Sequence, residues 1–347
     1  MSYYPLPIPA HALEEVEEEE KRQWKNKETL KQRAKNRAEI QALWGPINAI
    51  YDSGTPFFTK TAIGSLVRQI DESGMQRVQT EPLSLKISIA GIDGKIVDIP
   101  LQLGVKHPQP LHYPPWEDNS VLMDAMLSIN FRPPDLLTSI ASNYLSEFDR
   151  HKAFLTITVN VSTIPVVLAT GELPPDPSIL PAPETRATLQ RQKAEWDASA
   201  ACRNLMATLQ GLADAGRLPH VDKVVAFACH RPSIAERAER VATEHALVLS
   251  IRDFFARRDP TTTVWCCAQD PLYEDVDREA LGELGMTVLD NPRGFLEVDE
   301  STVVYSLAPE VAVRQIVADI ARPALMIWDR VREIPREGMG WVGRAEQ

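Results

Sequence analysis

The sequence predicts an α/β protein: a wound, mainly parallel, Rossmann-like sheet, preceded by a smaller N-terminal β-containing lobe and a charged helical N-terminal extension. Three observations predict it. Between Lys223 and Asp329, four short apolar runs alternate with helix-period segments, as strands joined by crossover helices do. Residues 83–103 alternate apolar and polar side chains on both sides of Asp93-Gly94, the pattern of a hairpin, read here with a type I′ turn. An acidic block, Glu14–Glu20, runs straight into helix formers carrying Lys21, Arg22, Lys25, Lys27, Lys31, Arg33, Lys35 and Arg37.

The elements follow in order. Residues 1–50 form the charged extension, and 51–172 the α+β lobe with the hairpin. Residues 184–330 form the Rossmann-like domain, and 331–347 a tail. Tyr51–Phe58 is a turn-rich lead-in, and Lys106–Pro115, rich in His and Pro, is an irregular surface crossing. Asp135–Phe148 has a helical pattern, and Phe154–Leu168 reads as one or two β-branched strands broken at Pro165. Leu173–Pro183 is proline-rich and extended. Glu184–Ala215 is one long helix pattern, stopped by Gly216.

The core strands are expected at Val224–Cys229, Thr263–Ala268, Val303–Ser306 and Ala324–Trp328. Between them, Ser233-Ile234-Ala235-Glu236 has the form of a capping box, and Asp270-Pro271 that of an N-cap followed by proline in the first turn. Gly285 stops the second helix, and Pro309-Glu310 opens a third over Val311–Ile320.

Composition excludes several classes. The 347 residues carry a formal net charge of −11, which argues against indiscriminate nucleic-acid binding and gives no support for DNA. No run of about 18 apolar residues exists to span a membrane. The first residues lack a basic stretch followed by an apolar one, so a cytoplasmic protein is expected. The four cysteines form no CxxC pair, so neither a metal site nor a redox pair is expected. The turn after the first core strand, Cys229-His230-Arg231-Pro232-Ser233, has no glycine to let a pyrophosphate approach the backbone. No GxxxxGK[ST] occurs either, and no cofactor is expected.

Ligands of wound sheets bind beyond the carboxyl ends of the strands, and the chemistry-bearing residues gather there. Cys229 or Ser233 could serve as nucleophile, with His230 as base. The structural readings weigh more: Cys229 as a buried strand end, Ser233 as a helix cap and His230 as a solvated or hydrogen-bonded loop residue. Asp270, Asp290 and Asp329 could engage a planar guanidinium through paired hydrogen bonds. They could instead be an N-cap, a turn residue and a solvated strand end. Tyr273 could orient a hydroxyl, stack on a substrate or simply pack. His245, mid-helix beside Ala246-Leu247-Val248-Leu249, is expected to pack in the core or to make a surface hydrogen bond. Lys27, Lys31, Arg33 and Lys35 recur at helical spacing and form either a solvated face or a stripe for RNA phosphates.

Several runs resemble the sensitivity-to-red-light-reduced domain. They are Ala226–Cys229, Glu244–Leu247, Asp270-Pro271-Leu272-Tyr273-Glu274, Leu284–Leu289 and Thr302–Leu307. Tyr51–Phe58 is similar to the corresponding stretch of fungal members. Plant and yeast relatives are associated with regulation. A fungal branch resembles arginine-containing cyclodipeptide synthases, which condense arginyl-tRNA with a second aminoacyl-tRNA into a diketopiperazine. That resemblance implies aminoacyl-tRNA partners and a motif role for Asp270, Pro271 and Tyr273. The sequence departs from bacterial cyclodipeptide synthases, which place a glycine-containing turn around a nucleophilic serine. A regulatory protein without catalysis and a different small-molecule transferase remain the alternatives.

Overall fold

The structure is a computed structural model; it describes residues 42, 44–75, 77–110, 120–134, 136–137, 150–167, 176, 178–307 and 309–329. The charged extension, with Lys27, Lys31, Arg33 and Lys35, lies outside the described residues, as does most of Asp135–Phe148. The chain falls into two compact units. One comprises residues 1–55 and 134–154, of which 44–52 are helical and Arg150–Phe154 is a short 3-10 turn. The other comprises residues 56–133 and 155–347 and holds every sheet found among the described residues.

The second unit begins with α1 (Lys60–Glu72), whose Thr59 Oγ1 accepts from the Ala62 amide as an N-cap. The hairpin follows as β1 (Leu83–Ala90) and β2 (Ile96–Leu103), antiparallel, with Leu83 opposite Leu103 and Ala90 opposite Ile96. Its turn is longer than the two-residue type I′ connection. Residues 91–95 link the strands, the Gly94 amide donates to Gly91 O, and Gly94 itself takes φ +77°. That is a type I turn closed by a left-handed residue, and glycine supplies the left-handed position. A three-stranded antiparallel sheet, β3 (Val105–Pro110), β4 (Ser120–Phe131) and β5 (Ile157–Val167), comes next. Residues 105–110 are thus a short edge strand rather than an irregular crossing. β5 runs unbroken through Pro165, which is tolerated because β5 is an edge where a missing N–H costs no ladder bond.

The expected long helix is two helices, α2 (Ala182–Ala198) and α3 (Ala200–Asp214). Ser199 adopts extended φ/ψ between them, and its hydroxyl accepts from the Cys202 amide. A serine that can cap is thereby the break. Gly216 (φ +66°) then ends the segment in the left-handed conformation.

Five parallel strands form the wound sheet: β6 (Lys223–Phe227), β7 (Trp265–Gln269), β8 (Thr287–Leu289), β9 (Thr302–Ser306) and β10 (Leu325–Trp328). Their order is β10-β9-β6-β7-β8, all pairs parallel. The three-residue β8 is the strand the four-strand expectation lacks; it is too short to stand out as an apolar run. Helices α4 (Ala238–Arg258) and α5 (Asp275–Glu283) pack on one face, sharing a core with Val224, Ala226, Ala268 and Tyr305. On the other face Phe227 stacks on Phe295 of α6 (Gly294–Glu297), with ring centroids 4.6 Å apart. Phe295 meets Phe131 of β4 edge-on at 5.2 Å, and Phe131 meets Phe58 at 6.0 Å. This aromatic ladder fastens the antiparallel sheet to the wound one, each pair adding to simple apolar burial. A last helix, α7 (Val313–Ile320), leads to β10. Among the described residues no helix is long and apolar enough to cross a membrane.

Candidate functional site

The order β10-β9-β6-β7-β8 reverses between β6 and β9, so the carboxyl ends of the strands form one rim with a switch point at its centre. The β6 turn is built without glycine, yet Ala228 (φ 56°) and His230 (φ 61°) are both left-handed. Side chains in that region cost energy, so neighbours must hold the turn in place. The Ala228 amide donates to Gln269 O at 3.1 Å. Asp270 Oδ2 accepts from the His230 amide at 2.9 Å, while Asp270 Oδ1 accepts from the Leu272 amide at 2.9 Å. Asp277 Oδ1 accepts from the Ser233 amide at 3.0 Å, and Asp277 Oδ2 from the Glu274 amide at 2.9 Å.

Two expected caps are therefore corrected. Asp270 caps no helix: α5 begins at Asp275 with Glu274 as its N-cap, and Asp277 completes that capping box. Asp270 instead splices the turns after β6 and β7. Ser233 does not cap either. It is fully buried, α4 starts at Ala238, and its hydroxyl has no hydrogen-bond partner among the described residues. Asp277, invisible as a functional residue in the sequence, is fully buried and holds that turn together with Arg231.

Burial sets the chemistry of the other rim residues. Cys229 is 1% exposed, and desolvation pushes its thiol well above the usual range, with Glu244 and Asp270 adding repulsion. A thiol so held stays protonated and is a poor nucleophile. Tyr273 is equally buried, and burial raises its phenol likewise. Its hydroxyl lies 2.7 Å from His245 Nε2, and His245 Nδ1 lies 2.7 Å from Val241 O. A carbonyl only accepts, so Nδ1 carries the proton and Nε2 accepts from the tyrosine. Tyr273 is thus committed to His245 rather than pointed at the rim. Asp290 is exposed and pairs with Arg278 at 2.5 Å, and Asp329 is exposed beyond β10.

A cleft of about 640 Å³ opens beside this rim. Its walls are Val67, Ile70 and Asp71 of α1, Met126–Ile129 of β4, and the turns after β7 and β8, with Asp270, Leu272, Asp290 and Arg293. Arg293 is ion-paired with Asp71 across it, and Arg77 donates to Tyr273 O. The Arg293 turn is positioned by Gln269, whose Oε1 accepts from the Gly294 amide at 2.6 Å and whose Nε2 donates to Asn291 at 3.1 Å. The cleft thus joins an apolar floor to facing carboxylates and guanidinium groups, a fit for a small ligand with an apolar body and charged ends. The structure brings Asp270 and Asp290 to this cleft, and gathers Cys229, His230 and Asp329 nearer the switch point. Asp71 and Arg293 went unnoticed in the sequence because α1 and the β8 turn meet only in the fold. No group of three His, Cys, Asp or Glu among the described residues is arranged to hold a metal ion.

Neither a search of curated proteins nor a search of solved structures returned a match. The SRR1 domain family matches residues 200–339, a span that contains the whole wound sheet and both turns of the rim. Residues 200–339 therefore match the SRR1 domain, the sensitivity-to-red-light-reduced domain that the strand-end motifs resemble.

Proposed function

We propose that the chain is an arginine-containing cyclodipeptide synthase, using arginyl-tRNA and a second aminoacyl-tRNA. The observation that carries this reading is the cleft at the strand ends, where Asp71 and Asp290, already holding the guanidinium groups of Arg293 and Arg278, stand over an apolar floor. Carboxylates there suit an arginine side chain, and the apolar wall suits the second residue. The chemistry needs no nucleotide: the α-amine of one aminoacyl ester attacks the ester carbonyl of the other. A C–N bond forms, the ester C–O bond breaks, and the tRNA hydroxyl leaves with a proton. A second such step closes the ring.

A regulatory protein without catalysis is the second reading, favoured by one observation: Cys229, Ser233 and Tyr273 are all buried, leaving no poised nucleophile among them. Expression in a bacterial host followed by mass spectrometry separates the two. New arginine-containing diketopiperazines are expected, and their absence from a well-expressed, folded protein favours regulation. The basic stripe offers an independent check. Changing Lys27, Lys31, Arg33 and Lys35 together to glutamine is expected to weaken tRNA binding and flatten its dependence on salt, because fewer counterions are released. An unchanged slope would reduce the stripe to a solvated helix face.

A further inference from the structure

Asp71, Asp270 and Asp290 line the cleft but differ in what they have left to offer a ligand. Asp270 is 6% exposed, and each of its oxygens already accepts a backbone amide. Asp290 Oδ1 accepts from Arg278 Nη2 at 2.5 Å, and Arg278 is anchored in turn, its Nη1 donating to Val288 O at 3.2 Å. Asp71, exposed in the last turn of α1, holds Arg293 through one oxygen and one Nη2. Arg293 lacks the anchor that Arg278 has: among the described residues its guanidinium makes no bond to a backbone carbonyl. Its backbone is fixed all the same. The Arg293 amide donates to Asp290 O at 2.7 Å, and a Cβ on the neighbouring Gly294 would meet Gln269 Oε1 at 2.9 Å. The side chain is thus the part free to turn, reaching from a rigid turn across the cleft to α1.

We propose that Asp71 is the residue that selects a guanidinium ligand, and that Arg293 occupies it until the ligand displaces it. This rests on the reading of the cleft as the seat of an arginine side chain. A guanidinium is a planar fork that bonds both oxygens of a carboxylate at once. Arg293 reaches one of them, so a ligand that takes both gains a bond in the exchange. Little opposes the exchange, because both partners of the present pair are partly exposed and such pairs are weak. The released Arg293 turns to solvent, and the apolar floor of Val67, Ile70 and Met126 carries the ligand's methylene stem.

The test is calorimetric titration of the full chain with arginine methyl ester beside citrulline methyl ester, whose neutral urea group replaces the guanidinium. Wild type is expected to bind the arginine ester about tenfold or more tightly than the citrulline ester. Asp71→Asn is expected to lose that preference. Arg293→Met is expected to bind the arginine ester about two- to fivefold more tightly than wild type, because the internal competitor is gone. Opposite signs for the two halves of one ion pair are the signature, since a pair that merely braced the cleft would weaken binding from either side. The proposal is overturned if neither wild type nor Arg293→Met binds the arginine ester, or if the citrulline ester binds equally well. It is also overturned if Arg293→Met fails to tighten binding, or if Asp71→Asn keeps the preference. Failure of the synthase reading looks different: the arginine ester binds as described, and no diketopiperazine forms.

Discussion

Lowering the pH from about 7.5 to about 5 is expected to weaken the wild-type fold more than it weakens His245→Gln. His245 is fully buried, and desolvation holds its pKa below the ordinary 6.5 despite its bond to Val241 O. The folded state thus refuses a proton that the unfolded chain accepts below 6.5. The stability this residue protects is fully present above 6.5 and is lost as pH falls towards the depressed folded value. Glutamine keeps an acceptor for Tyr273 and a donor for Val241 but does not titrate. Urea midpoints measured across that range check it: parallel curves for the two proteins would contradict the assignment. Tyr273→Phe belongs to the same test. It strands Nε2 as a buried acceptor and is expected to cost about 1–3 kcal/mol at neutral pH.

The second large effect concerns Asp270→Asn. As a helix cap, Asp270 would tolerate asparagine almost silently. Because each of its oxygens accepts a backbone N–H, from His230 and from Leu272, asparagine must present an NH₂ to one of those donors. A destabilisation of about 1–3 kcal/mol is expected, concentrated in the turn after β6. Amide hydrogen exchange at His230 and Leu272, with urea unfolding, measures both parts. An unchanged midpoint with unchanged exchange would mean that the splice carries no energy.

Much of the fold was legible in the sequence, because binary patterns and strand-end polar residues are local signals. Val224–Cys229 and Thr263–Ala268 announced their strands by composition, and Gly216 and Gly285 their helix ends. Local reasoning failed where a residue's partner is distant along the chain. Ser233 looked like a cap since nothing nearby competes for it, yet Asp277, 44 residues away, takes its amide. Asp270 was misread for the same reason, its second acceptor bond running 40 residues back to His230. The cleft was illegible altogether, because Asp71 and Arg293 are 222 residues apart. The absence of glycine in the β6 turn did not prevent left-handed residues there; two aspartates supply from outside what glycine would have supplied by conformational freedom.

The most direct measurement of the cleft's role uses purified protein, arginyl-tRNA and a mixture of other aminoacyl-tRNAs, with products identified by mass spectrometry. Wild type is compared with Ser128→Trp, which fills the cleft from β4, after both are shown to unfold at the same urea midpoint. The account predicts an arginine-containing diketopiperazine from the wild type and at least a tenfold loss from the filled variant. No such product from folded wild type, or full product from the variant, would contradict it.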